Sequence, residues 1–220
     1  MAGTYQAGDR TKADILKGST KLFYKKGYNN TTYSDISEYL NINRALIPYH
    51  FNSKHSLAVS VYNDIINTAF NTADKLLDIS ELSSDLAAAF HIVIYYRFFE
   101  NNKLRTFITD LLNESSEELI DIDYESTIIK DIDDYFSNID EKELELICNC
   151  SSAMRYQLVR CSNDKKYDCD SISGQYINFL LRYAGTPQDT IDELINAALQ
   201  LADLISCNVK TDYQISINYK

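Results

Sequence analysis

Apolar positions recur along this chain mostly with the period of an α-helix. Ile15, Ser19, Leu22 and Phe23 fall at i, i+4, i+7 and i+8, one stripe of a helix, and predict a first helix from about Lys12 to Lys26. Lys25 and Lys26 close its last turn, where cations suit the helix dipole. Gly27 is a natural left-handed stop, with Tyr28 folding back beyond it. Gly18 inside that helix is a blemish of about 1 kcal/mol against Ala. Thr32-Tyr33-Ser34-Asp35 then carries the S/T-x-x-D/E start signal with Thr32 as cap. The helix it opens puts Ile36, Tyr39 and Leu40 on one face. Asn41-Ile42-Asn43 breaks it. Asn41 tolerates the left-handed conformation a tight turn needs, Ile42 plugs the angle, and Asn43 caps the next helix, Arg44 to about His50. Asn52 or Ser53 caps a long fourth helix through Leu57, Val61, Ile65 and Ile66. Two short helices about a three-residue turn, with a third before them, make a helix-turn-helix at about residues 32–51.

Further on, Leu86, Phe90, Val93, Ile94 and Arg97 mark one helix, and Leu104, Phe107, Ile108, Leu111 and Leu112 the next. Residues 113–145 interleave acids with Ile120, Ile122, Ile128, Ile129, Ile132 and Phe136. Another helix is expected over Glu143 to Arg160, a polar loop over Asn163 to Ser171, and a helix over Ile172 to Tyr183 stopped by Gly185. Thr186-Pro187-Gln188-Asp189 starts a last helix, with Thr186 as cap and Pro187 at its first position. That helix sets Ile191, Leu194, Ile195, Ala198, Ala202 and Ile205 on one face and Leu199, Leu201 and Leu204 on another. A helix apolar on two sides is buried by two neighbours, one of which can be a second subunit. The fold class expected is all-α, and 6 Gly and 2 Pro in 220 residues leave little material for turns.

Charge changes the picture. The net charge of −11 argues against a nucleic-acid partner, until the chain is divided. Residues 1–60 carry eight basic and four acidic side chains, a net +4; the remainder nets −15. A basic head can dock on an anion while an acidic body keeps its distance. No run of 18 apolar residues predicts a membrane span, and the polar first ten residues lack the apolar core of a signal peptide. The five cysteines (148, 150, 161, 169 and 207) are odd in number and have no zinc-site spacing; with no signal peptide they point to a reducing, cytoplasmic setting.

Thr31-Thr32-Tyr33-Ser34-Asp35-Ile36, Asn41-Ile42-Asn43-Arg44-Ala45-Leu46-Ile47 and His50-Phe51-Asn52-Ser53-Lys54 with Leu57 resemble the DNA-binding domain of the TetR family. Ala13-Asp14-Ile15-Leu16 and Leu22-Phe23-Tyr24-Lys25-Lys26-Gly27-Tyr28 agree at the right distances. The resemblance covers about residues 10–69 and implies a DNA-binding domain there, followed over 70–210 by a larger helical domain for ligand binding and dimerisation. It implies a regulator, by default a repressor, that binds a palindromic operator as a homodimer built on the last helices and is released by a small-molecule effector. Asn41 replaces the family's usual turn Gly. Pro48 stands where an aromatic is common, and its missing N–H and its ring, crowding the Arg44 carbonyl, predict a kinked or shortened recognition helix.

A recognition helix fits the major groove, with phosphate contacts setting register and base contacts setting sequence. Thr32, Tyr33 and Lys54, at helix starts, are candidates for phosphate; Arg44, Ala45, Tyr49 and His50 are candidates for the groove. Arg44 either pairs with guanine or holds a phosphate. Asn43 either caps its helix or reads adenine. His50 either touches phosphate or packs half-buried. In the body, where the resemblance implies an effector pocket, Tyr95, Phe99, Phe107, Tyr156 and Tyr176 are candidates to line it for an aromatic or amphipathic ligand; the plainer reading of each is a core residue. Arg97 and Arg155 meet either a ligand carboxylate or the body's own acids.

Catalysis finds no support: G-x-S-x-G, G-K-[ST] and H-E-x-x-H are all missing. No cofactor is implied. Asp121-Ile122-Asp123 and Asp168-Cys169-Asp170 lack the Gly and closing Glu of a calcium loop, so no metal site is expected. The rival from another class is a helical protein-interaction module using the helix-turn-helix only for packing, which has no need of a basic head.

Overall fold

The computed structural model describes residues 2–114, 140–162 and 167–220. Its first helix, α1, is Ala2–Lys26, ten residues longer at its start than the pattern predicts. No Pro lies between Ala2 and Lys12; Gly3 and Gly8 weaken the helix there but do not stop it, since extension costs little once a nucleus exists. The expected stripe of Ile15, Ser19, Leu22 and Phe23 is buried. Gly18 has a purpose: a Cβ there would lie 2.7 Å from Leu40 Cδ2, so its absence lets the next helix approach.

Helices α2 (Tyr33–Leu40), α3 (Leu46–Phe51) and α4 (Lys54–Leu77) follow. Ser53 caps α4, accepting from the Ser56 N–H. A boundary at 69/70 falls inside α4, so one continuous helix runs from the head into the body.

The body comprises α5 (Ser84–Arg97), α6 (Asn102–Glu114), α7 (Glu141–Cys161), α8 (Cys169–Tyr183) and α9 (Gln188–Asp203). Every residue of α5 from Ala88 to Tyr96 is buried. It therefore lacks the single apolar face the pattern suggested; α8 and α9 both pack on it, as expected of a helix apolar all round. In α6 the five apolar residues singled out by spacing are all buried. α8 starts at Cys169 rather than Ile172 because Asp168 caps it, accepting from the Ser171 N–H at 2.7 Å. The acid-interleaved isoleucines, Phe136, and Asp121 and Asp123 lie outside the described residues, as do 163–166 of the expected loop.

Two expectations near the C-terminus need correction. Pro187 occupies the cap position of α9, and Thr186 makes no cap hydrogen bond; its hydroxyl is buried without a partner. Ile205 is not on the last helix. It opens β1 (Ile205–Val209), which pairs antiparallel with β2 (Ile215–Tyr219), Ile205 facing Tyr219 and Val209 facing Ile215. The period-2 alternation of Ile215 and Ile217 with Ser216 and Asn218 signals this strand. The hairpin adds two short strands to nine helices among the described residues, and it packs on α4.

Candidate nucleic-acid interface

The head is organised by its caps. Thr32 Oγ1 accepts from the Asp35 N–H at 3.2 Å, and an Asp35 carboxylate oxygen accepts from the Thr32 N–H at 2.8 Å and its hydroxyl at 2.7 Å. Two helix-end donors are thus satisfied reciprocally. Lys26 Nζ donates to the same carboxylate at 2.5 Å, tying the end of α1 to the start of α2. Lys26 first, and Thr32 after it, hold the Asp35 carboxyl far below the ordinary range.

At the end of α2, Asn41 adopts φ 51, ψ 49, the left-handed conformation the turn requires. Asn43 Oδ1 accepts from the Ala45 N–H at 2.9 Å, closing a turn just ahead of α3, whose own cap position, Ala45, carries no side-chain cap bond. α3 begins at Leu46, two residues later than expected. Pro48 is therefore its third residue, in the first turn, where a helix leaves N–H groups unpaired anyway. The Tyr49 N–H bonds the Ala45 carbonyl at 3.3 Å and the Asn52 N–H bonds the Pro48 carbonyl at 2.9 Å. The helix runs through Pro48 to Phe51, and the late start is how the chain accommodates it.

Ile47 and Phe51 point inward and are buried. Arg44, Ala45, Pro48 and Tyr49 are exposed, and Tyr49 keeps 77% of its surface open. His50 is half-buried, its ring edge-on to Tyr49 at 5.0 Å. Tyr33 is half-buried; burial raises its phenol pKa, opposed by the positive charge of Arg44. The starts of α2 and α3 therefore share one outward face bearing Thr32, Tyr33 and Arg44. Lys54 differs from these. It donates to the Tyr28 carbonyl at 3.2 Å and lies 4.1 Å over the Tyr28 ring, so its ammonium already serves the joint between α1 and α4. A lysine has further donors to offer outward.

The pattern put Tyr39 on the inner face of α2, but it is 47% exposed. With Lys17, Lys21 and Ile42 it lines an open groove of about 220 Å³ between α1 and α2. Sequence reasoning passed over these lysines because they carry no motif; their spacing of four on one helix was the available signal.

In the body, four of the five effector candidates converge. Tyr95 lies 4.9 Å from Phe99, and Tyr96 joins them to Tyr176 at 6.0 Å. Arg155, fully buried, lies 5.1 Å over Tyr156 and 6.0 Å over Tyr95. Tyr62 donates to the Tyr95 hydroxyl at 3.0 Å, and the Tyr176 hydroxyl bonds Ser151 at 2.5 Å. Phe107 is elsewhere, against Phe23 of α1 at 5.5 Å. Arg97 is committed to acids of the body, in a fork on Asp170 at 2.7 and 2.9 Å and a bond to Asp203 at 2.9 Å. Asp168 and Asp170 thus have structural duties. Among the described residues no group of three His, Cys, Asp or Glu side chains is arranged to hold a metal, and no described helix is long and apolar enough to cross a membrane.

Two short helices joined through a left-handed Asn, with the second presenting an open face, define a helix-turn-helix. The family model of bacterial regulatory proteins of the tetR family matches residues 15–61, so the head is similar to the N-terminal domain of that family. The chain is 31% identical over 83 residues to the probable HTH-type transcriptional regulator ArpR of Pseudomonas putida, 38% of each chain. It is 38% identical over 72 residues to the HTH-type transcriptional repressor NicS of the same species, covering 33% of this chain and 34% of that one. Against IcaR of Staphylococcus aureus, a negative regulator of a biofilm operon, identity is 31% over 74 residues, 34% of this chain and 38% of the relative. The match thus spans little more than a third of these relatives. Solved structures of RolR, with resorcinol and without ligand, cover 87% and 85% of this chain and 95% and 96% of theirs, with TM-scores of 0.57 and 0.59. At 14% identity that likeness is one of fold.

Proposed function

We propose that this protein is a transcriptional repressor whose head reads a palindromic operator as a homodimer, and that a small-molecule effector bound in the body releases it. The observation that carries the reading is the outward face of α3. Tyr49, the most exposed large apolar side chain of the described residues, stands there beside Arg44 and Ala45, on a head of net +4 attached to a body of −15. An exposed aromatic beside an exposed arginine offers a ready contact, and the local positive charge selects an anionic partner. On this reading Arg44, Ala45, Tyr49 and His50 face the major groove, Thr32 and Tyr33 meet the backbone, and Asn43 holds the start of α3. Repression agrees with the names of NicS and IcaR, whose heads this one resembles.

The division of labour is a head over 10–69 and a body over 70–210. A single recognition helix reads too few base pairs for a unique site, so two-fold pairing through the last helices supplies the second half-site. The cluster of Tyr95, Phe99, Tyr156 and Tyr176 about Arg155 fits an aromatic or amphipathic effector, which must favour the DNA-free state to act. The protein works in the cytoplasm, where its DNA is.

Selection of bound duplexes from a random pool, at two salt concentrations, tests this reading. A recovered palindrome whose affinity falls steeply with salt supports it; purified dimer that enriches no motif favours the interaction module instead.

A further inference from the structure

The C-terminal hairpin ends in an unusual turn. Asp212 and Tyr213 both adopt positive φ, 58° and 54°. A tyrosine rarely enters this region, and such a residue persists only where its surroundings over-determine it. The surroundings here are aromatic. Tyr213 is buried, edge-on to Tyr24 of α1 at 5.1 Å and against Phe107 of α6 at 5.3 Å, and its hydroxyl donates to the Lys103 carbonyl at 3.4 Å. Phe107 in turn meets Phe23 at 5.5 Å and Tyr28 at 6.4 Å. Tyr28 is the residue Lys54 grips, at the first position of α4 and three residues beyond the recognition helix.

The other end of the hairpin is anchored just as specifically. The Tyr219 hydroxyl donates to the Leu76 carbonyl in the last turn of α4 at 2.6 Å. Asn101 Nδ2 donates to the Val209 carbonyl at 3.3 Å, and the Lys220 N–H donates to the Leu204 carbonyl at 2.9 Å. Arg97 clasps Asp203 at the hairpin's root. One short element therefore touches α1 near its end, α6 beside it, and the far end of the helix that leaves the head.

We infer that the hairpin is a strap that fixes the angle between head and body, with Tyr213 as the positioning residue for operator recognition. This rests on the DNA-binding reading above. A dimeric reader needs its two recognition helices at a set spacing, because both half-sites must be met at once. The strap holds each head at the angle that gives that spacing. Non-specific binding needs only basic side chains near phosphate, so it does not depend on the strap. Shortening Tyr213 frees the head without touching a group that faces DNA.

The test uses full-length protein, the selected operator and a random duplex, with thermal unfolding followed in parallel. Tyr213→Ala should lower operator affinity by about tenfold, in line with couplings carried through packed side chains, while random-duplex affinity and its salt slope stay unchanged. Tyr213→Phe keeps the wedge and should bind like the wild type. Tyr219→Phe cuts the other anchor at an exposed site, where folding is not at stake, and should cost about twofold to threefold in operator affinity. A folded Tyr213→Ala protein that keeps the wild-type ratio of operator to random affinity overturns the strap. If Tyr213→Ala does not fold, an unaltered ratio in Tyr219→Phe overturns it instead. A wild type that does not distinguish the two duplexes sinks the DNA-binding reading itself, a separate failure.

Discussion

Tyr49 of the head and the tyrosines gathered about Arg155 in the body meet opposite fates. In the body, Tyr95, Tyr96, Tyr156 and Tyr176 are buried; the hydroxyls of Tyr95, Tyr156 and Tyr176 bond Tyr62, Arg155 and Ser151, and the Tyr96 ring packs on Tyr95 and Tyr176. Burial first, and the neighbouring Tyr62 after it, push the Tyr95 phenol well above its ordinary pKa, so it stays protonated. In the head, Tyr49 stands almost entirely in water on a six-residue helix whose inner face is fully used. The lesson is that composition does not separate a core residue from a contact residue. What separates them is whether the surrounding elements leave it a partner. The acid–base balance follows the same division: Arg97 is absorbed by Asp170 and Asp203, whereas Arg44 is exposed.

The largest break in the comparison comes from the body. Tyr95→Ala should destabilise the fold by about 3–5 kcal/mol, the range for truncating a large buried aromatic. Urea unfolding measures it; a loss under about 1 kcal/mol would mean that the cluster is loosely packed and holds space for an effector rather than a core. Next comes Arg44→Ala. If Arg44 reads guanine, operator affinity drops by about 1–3 kcal/mol and selectivity relaxes at one base pair; if it holds a phosphate, all duplexes weaken alike and the salt slope falls by about one. An anisotropy titration showing neither change would remove Arg44 from the interface. Thr32→Ala should cost about 1 kcal/mol of stability through the lost cap, visible as an earlier denaturation midpoint; an unshifted midpoint would show that Asp35 and Lys26 hold the start of α2 without it.

The smallest effect extends the comparison to cysteine. Burial raises the Cys169 and Cys207 thiols from 9.0 to about 11, while Cys150 is exposed. A folded-state pKa above the unfolded one means that these thiols contribute fully below pH 9 and lose that contribution as pH climbs towards 11. Iodoacetamide at pH 9 should therefore modify Cys150 well ahead of both, as peptide mapping would show. Equal rates would contradict the burial of the pair.

Much of the head was legible in the sequence because its signals are local. A Thr three residues before an Asp and an Asn able to turn left-handed act over a few residues each, and both act as their chemistry suggests; the second Asn bonds the Ala45 N–H just ahead of the helix it was expected to cap. What was not legible depends on distant chain. Gly18 reads as a flaw until Leu40 is found against it. Lys54 reads as a free cation until the Tyr28 carbonyl and ring are seen beneath it. Pro48 reads as a breaker of the recognition helix because the start of that helix was set at Arg44; moving the start to Leu46 removes the conflict. In the body, apolar spacing found α6 correctly, but α5 is buried on all sides and has no stripe to read. The hairpin was missed although Ile215 and Ile217 alternate with polar residues, because the helical pattern of α9, which ends at Asp203, was carried two residues too far, into Ile205.

The central claim is that the exposed face of α3, and not the tyrosine-bearing surface of the body, meets DNA. Replacing Tyr49 by a photoreactive benzoyl-phenylalanine and irradiating the full-length protein with its selected duplex tests it directly, with the same replacement at Tyr183, 45% exposed on α8 of the body, as the comparison. The account predicts cross-linking to the duplex from position 49 and none from position 183. Cross-linking from position 183, or silence at position 49 in a protein that still binds, would contradict it.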